Sequence, residues 1–183
     1  MSKNQPSLFY GYALFIKQST ALTDLQVLKS ISLEDYKYVG LANESYLKYD
    51  KKKSICLTEC KNWVHVLDNK ANNLWQRHQY SKDQLNVDVA AQIGRHYEVF
   101  VAYQDHATND FGFAYYRKGK LKRKYSVAWV DYEKLIDFEN YGSKLPGEKN
   151  ANTPSMPYVL HVAQSIGIDI RYNLNRIRVY AKR

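Results

Sequence analysis

Residues 97–130 read YEVFVAYQDHATNDFGFAYYRKGKLKRKYSVAWV, and this stretch decides the fold. Tyr97–Tyr103 alternates strongly, and Phe111–Arg117 alternates again. Such period-two patterning marks strands with one face turned to a core. Lys118-Gly119 is a tight-turn signal between two strands. Lys120–Val130 then carries Leu121, Tyr125, Val127 and Trp129 on one face and Lys120, Lys122 and Lys124 on the other. The whole stretch predicts a meander of three antiparallel strands with one wet face.

Working outward, Leu8–Lys17 predicts a strand covered on both sides. Leu8, Tyr10, Tyr12, Leu14 and Ile16 fall on one face, and Phe9, Gly11, Ala13 and Phe15 on the other. Leu22, Leu25, Leu28 and Ile31 recur every three residues and predict a short helix. Tyr36–Tyr49 has mixed alternation and accommodates one strand or two. Asn62–Leu67 predicts a short strand. Ser81 and Gln84 match a capping box, with Leu85, Val89 and Ile93 following at helical spacing and Gly94 as a left-handed stop. Pro157, Val159, Val162, Ala163, Ile166 and Gly167 predict another helix. In the last strand, Asn175–Lys182, Ile177, Val179 and Ala181 alternate with Arg176, Arg178, Tyr180 and Lys182.

Composition sets the class. The chain has 183 residues, 45% hydrophobic and 25% charged, enough for one domain with its own core. The 8 Gly and 4 Pro exclude a collagen-like or Pro-rich disordered chain. The 17 Tyr stand out, and suit half-buried sheet positions and interfaces. A net charge of +9, from 27 basic and 18 acidic residues, attracts nucleic acid, an acidic protein or an anionic membrane surface. Cys56 and Cys60 fit no zinc spacing and are too few for a disulfide scaffold, which points to free thiols in a reducing compartment. The apolar run Leu8–Ile16 lacks the flanks of a signal peptide and the ~20 residues of a membrane span. The expectation is a cytoplasmic protein without a membrane role.

Four constellations bear on chemistry. Arg117, Lys118, Lys120, Lys122, Arg123 and Lys124 lie on one hairpin, and the last strand adds Arg176, Arg178, Lys182 and Arg183, with Tyr180 between them. If the two strands share a wet face, the cations suit phosphates and the Tyr suits base stacking. Alternatively these are solvated lysines that discourage edge-to-edge pairing. The loop Asp105-His106-Ala107-Thr108-Asn109-Asp110 offers metal or acid–base ligands in Asp105, His106, Asn109 and Asp110, though Asp and Asn also build ordinary turns. His65, His78, His96, His106 and His161 are scattered, with no HExxH, nucleophile elbow or Gly-rich phosphate loop. Glu139–Glu148 is a long polar loop, either a lid or partner-contact element or a connector. No cofactor, metal or catalytic residue is assigned.

Three segments taken together carry a resemblance: Tyr115–Lys124, Gly142–Glu148 and Val159–Ile168. In order and spacing they resemble small uncharacterised bacterial proteins, some similar to immunity proteins encoded beside secreted toxins. The resemblance covers the part from Val99 onward and implies a binding protein without catalysis. The chain departs from an inhibitor of nuclease toxins, which would present an acidic face; its basic charge suits an acidic partner.

The sequence therefore predicts one α+β domain over residues 1–183, with a mainly antiparallel sheet of five to seven strands and two to four helices packed chiefly on one face. The expected function is a non-catalytic protein-binding protein of immunity type. The alternatives are a nucleic-acid-binding module using Arg117, Lys120, Lys122, Lys124, Arg176, Arg178 and Tyr180, and an enzyme centred on Asp105–Asp110.

Overall fold

The apolar strand near the N-terminus sits at the middle of the sheet, because both of its faces need cover. The computed structural model describes residues 12–18, 22–42, 54–68, 89–104, 111–130, 134–150, 156–169 and 176–182. In chain order the elements are β1 (Tyr12–Lys17), α1 (Asp24–Ser30), β2 (Tyr36–Ala42), β3 (Ser54–Cys60), β4 (Trp63–Asp68), α2 (Val89–Gly94), β5 (Val99–Gln104), β6 (Phe111–Arg117), β7 (Lys120–Val130), β8 (Lys134–Gly142), a 3-10 turn (Pro146–Asn150), α3 (Met156–Ser165) and β9 (Ile177–Lys182). The strands form one sheet in the order β2-β9-β3-β4-β1-β5-β6-β7-β8. Every pairing is antiparallel.

Two apolar layers cover opposite faces. On one, Ala13, Phe15, Trp63, Phe100, Phe113, Tyr125 and Val127 pack under Tyr158, Val159, Val162 and Ala163 of α3. On the other, Leu14, Ile16, Leu57, Val64, Val66 and Val99 pack under Val27, Leu28 and Ile31 at α1 and under Ala90 and Ile93 of α2. The α+β class and the antiparallel sheet hold, while one detail of the expectation is corrected. The sheet has nine strands among the described residues, not five to seven. Of the three helices, α1 and α2 lie on one face and α3 on the other. Phe111–Tyr116 is buried residue after residue, so those six positions of β6 have no wet face. Strands β3 and β8 escape a period-two reading because they carry polar residues: Ser54 and Thr58 are buried in β3, and Asp137, Glu139 and Asn140 lie on β8 at one end of the sheet.

Local signals set the ends of the elements. Thr23 caps α1: its hydroxyl accepts from the Gln26 amide, and the Gln26 side chain accepts from the Thr23 amide. Both α1 and α3 close with a pair of hydrogen bonds around a left-handed residue. At α3, Ile168 N–H donates to Ala163 O and Gly167 N–H to Gln164 O, with Gly167 at φ +89°. At α1, Leu33 N–H donates to Leu28 O and Ser32 N–H to Lys29 O, with Ser32 at φ 60°. The proposed stop at Gly94 is corrected. Gly94 is not left-handed; it is small because a side chain there would meet the Tyr116 ring, with Cβ–Cβ at 2.7 Å. The Ser81–Gln84 capping box falls outside the described residues.

The β6–β7 turn is as expected, with Lys118 at φ 54° and Gly119 at φ 71°. A bulge follows immediately: Tyr115 pairs with Arg123 and Tyr116 with Leu121, so Lys122 is the extra residue. One extra residue moves everything beyond it to the other face. Leu121 accordingly packs with the α1–α2 layer, and Tyr125 and Val127 with the α3 layer. Arg123 goes with Tyr125, its guanidinium 5.2 Å from that ring.

Candidate functional site

The two basic strands do not meet. β9 is second in the sheet and β7 eighth, with β3, β4, β1, β5 and β6 between them. Six steps of ~4.8 Å put them about 29 Å apart, and the twist turns their faces away from each other. The single basic, Tyr-bearing face is therefore corrected to two separate regions. Several of its members are also engaged. Lys124 Nζ is 2.5 Å from Glu139 Oε1, and Lys182 Nζ is 2.8 Å from Asp35 Oδ2. Arg178 and Tyr180 bind Asp24. Arg117 Nε lies 3.5 Å from Glu98, a carboxylate that also receives Lys17 at 3.0 Å and the Tyr115 hydroxyl at 2.5 Å. Burial and the Glu98 contact together push the Tyr115 phenol well above its ordinary range. Arg176, Lys120 and Lys122 are exposed.

Arg123 has a structural task. It is 1% exposed and faces Glu148, whose side chain is fully buried. Nε donates to both Glu148 oxygens at 2.8 and 3.0 Å, and Nη2 donates to Oε2 at 2.7 Å. Nη1 donates to Lys124 O, Asn140 Oδ1 and Tyr141 O. Glu148 also accepts from the Leu145 amide and the Tyr158 hydroxyl. Burial works against both charges, but the mutual contact outweighs it, so Glu148 is held below the usual carboxylate range and Arg123 above its own. This joins β7, β8, the 3-10 turn and α3. Gly147 fits against α3 where a Cβ would come within 2.7 Å of Val162 Cα. The segment Glu139–Glu148, read either as a lid or partner-contact element or as a connector, is not one long loop: its first part is the end of β8 and its last part is clamped to α3.

The corner built by α1, β2 and β9 combines features of a recognition surface. Arg178 holds Asp24 with two donors, Nε to Oδ2 at 2.5 Å and Nη2 to Oδ1 at 2.9 Å. Tyr180 OH donates to the same carboxylate, and Arg178 Nη1 lies 3.5 Å from Glu59. Burial first, then the bond to Asp24, pushes the Tyr180 phenol up to about 12. These bonds bring the first turn of α1 over β9. Around them, Leu25 and Leu41 are 61% exposed, and Tyr38 50%. Tyr38 sits opposite Tyr180, with ring centroids 5.7 Å apart, and Leu41 opposite Arg178. Sequence reasoning found Arg178 and Tyr180 here but missed Asp24, Leu25, Tyr38 and Leu41. A T-x-x-Q cap at Thr23–Gln26 was the available signal for the helix start; nothing local shows that β2 pairs with β9.

The remaining candidates carry less. Asp105, His106, Asn109 and Asp110 lie outside the described residues. His65 is buried and stacked on Phe15 at 4.2 Å, and burial lowers its pKa to about 3, so the ring is neutral. Cys56 and Cys60 are buried free thiols on one strand, and burial pushes Cys60 up to about 12. Among the described residues no group of three His, Cys, Asp or Glu is placed to hold a metal ion, and no helix is long and apolar enough to cross a membrane. Compared with protein-family models, curated proteins and solved structures, the chain has no match in any of the three.

Proposed function

We propose that this is a non-catalytic binding protein that recognises a protein partner through the α1–β2–β9 corner. The observation that carries the reading is the exposure of Leu25, Tyr38 and Leu41 around the Asp24–Arg178–Tyr180 cluster. Three of the five large hydrophobic side chains most exposed among the described residues are gathered there. Exposed apolar side chains grouped with Tyr and Arg are what protein interfaces use as anchors. The cluster also lowers the cost of binding, because Arg178 and Tyr180 are already fixed by Asp24. Partner contact runs through side chains rather than strand addition. β2 ends the sheet among the described strands, but its edge is broken by a bulge between Tyr38 and Gly40.

The resemblance to immunity proteins makes a secreted toxin encoded beside this chain the first partner to test. The experiment compares capture of that toxin by the wild type, by Tyr38→Asp/Leu41→Asp and by Lys120→Glu at the far side of the sheet. Loss of two anchor contacts weakens binding by about 30-fold or more, while Lys120→Glu leaves it unchanged. Equal capture by the corner variant would exclude this surface, and no binding by the wild type would exclude the immunity reading.

A further inference from the structure

We propose that a second surface, the β6–β7 turn together with the end of α2, binds the phosphate backbone of single-stranded nucleic acid. It lies on the other side of β1 from the α1–β2–β9 corner and stands independently of the reading above. Arg117, Lys118, Lys120 and Lys122 follow one another around the turn, and Arg95 comes to meet them from α2; all five are exposed. Two observations show that this grouping is built rather than fortuitous. The Gly119 amide donates to Gly94 O at 3.1 Å, tying the turn to the helix end. The Arg95 carbonyl oxygen lies 3.7 Å from where a Gly119 side chain would begin, so the turn and the residue after α2 are in van der Waals contact. The positive φ of Lys118 and Gly119 completes a two-residue turn with little freedom left in it.

The charge is poorly balanced. Glu98 is the carboxylate beside Arg117, but it is only 16% exposed and is shared with Lys17 and Tyr115. Among the described residues Arg95, Lys118, Lys120 and Lys122 meet no carboxylate, unlike Lys124, Arg178 and Lys182. The local field therefore selects an extended anion.

Two features favour single-stranded nucleic acid over duplex or acidic peptide. First, the β6–β7 pair projects past its neighbours only briefly: β5 leaves it at Tyr116 and β8 at Arg123. A flexible single strand can bend around so short a tip, whereas duplex DNA, with a persistence length of about 150 bp, meets it on one side only. Second, rings stand beside the cations. His96 is exposed and packs edge-on against half-buried Tyr97 at 6.5 Å, directly after Arg95. Unstacked bases can lie on such rings while the lysines hold phosphates.

The test uses fluorescence anisotropy of the full chain with a labelled oligouridine of about 15 nucleotides. With about four phosphates neutralised on a single strand, affinity should fall about 50-fold between ~50 and ~200 mM salt. Lys120→Glu/Lys122→Glu should weaken binding by at least about tenfold at the lower salt and flatten the salt slope by about 1.4. Lys29→Glu/Lys37→Glu makes the same change in net charge at the other side of the sheet, and should cost less than about threefold. Circular dichroism melts confirm that both variants fold. The proposal is overturned if binding shows no salt dependence, if the two charge-matched variants weaken it equally, or if polyglutamate of equal charge displaces the probe as well as unlabelled oligouridine does.

Discussion

The buried ion pair between Arg123 and Glu148 makes the sharpest demand on stability. Replacing Glu148 by Gln keeps the shape but removes the negative charge. The guanidinium, 1% exposed, then loses the carboxylate that receives Nε and Nη2 at 2.7–3.0 Å. The Leu145 amide and the Tyr158 hydroxyl lose a charged acceptor as well. An uncompensated buried charge of this kind costs about 3–5 kcal/mol, a large part of the 5–15 kcal/mol that holds a typical domain. With a urea m value of about 2 kcal/mol/M, the unfolding midpoint should drop by about 2 M. Arg123→Met/Glu148→Leu removes both charges, and should be more stable than the single variant, because no charge is stranded. The assay is equilibrium urea unfolding at neutral pH, followed by two probes to establish two-state behaviour. A loss below about 1 kcal/mol for Glu148→Gln, or a double variant less stable than the single, would refute the reasoning. The pH dependence adds a second check. Glu148 has its folded pKa below its unfolded one, so its contribution is full above the ordinary carboxylate value and vanishes as pH falls through the folded value. Glu148→Gln should remove that part of the acid limb.

Three further outcomes follow from the packing. His65 has a folded pKa near 3 against 6.5 in the unfolded chain, so the unfolded state binds the extra proton and stability falls as pH drops from 6.5 towards 3, by up to about 4–5 kcal/mol; urea titrations across that window should show a slope about one proton shallower in His65→Phe. Ser32 occupies the left-handed closing position of α1, so Ser32→Gly should stabilise by about 0.5–1 kcal/mol and Thr23→Ala, which removes the cap, should destabilise by about 1 kcal/mol, both read from thermal melts. Cys56 and Cys60, 0% and 1% exposed, should react with a thiol reagent only at the rate of unfolding; labelling of the native protein within minutes would contradict the burial.

What the sequence determined by itself is local. The apolar run of β1 required cover on both faces, and Ala13–Ile16 have it. Lys118-Gly119 set a turn because their backbone conformation is available at little cost to Gly. Val159, Val162 and Ala163, followed by Gly167, marked a helix and its stop, and Ile177 and Val179 marked the inward face of the last strand. These depend on neighbours within a few residues, so the chain shows them directly. Tertiary structure decided which strands are adjacent. β9 inserts between β2 and β3, far from β7, and that order separates cations that the sequence invites one to combine. It also decided where Arg123 goes: the bulge beside it and a carboxylate 25 residues further on turn a surface-looking cation into a buried one, 1% exposed. The recognition corner is of the same kind, since Asp24 and Arg178 are 154 residues apart and meet only across the finished sheet. Pairing over such distances is chosen by the burial of whole faces, which no short stretch of sequence records.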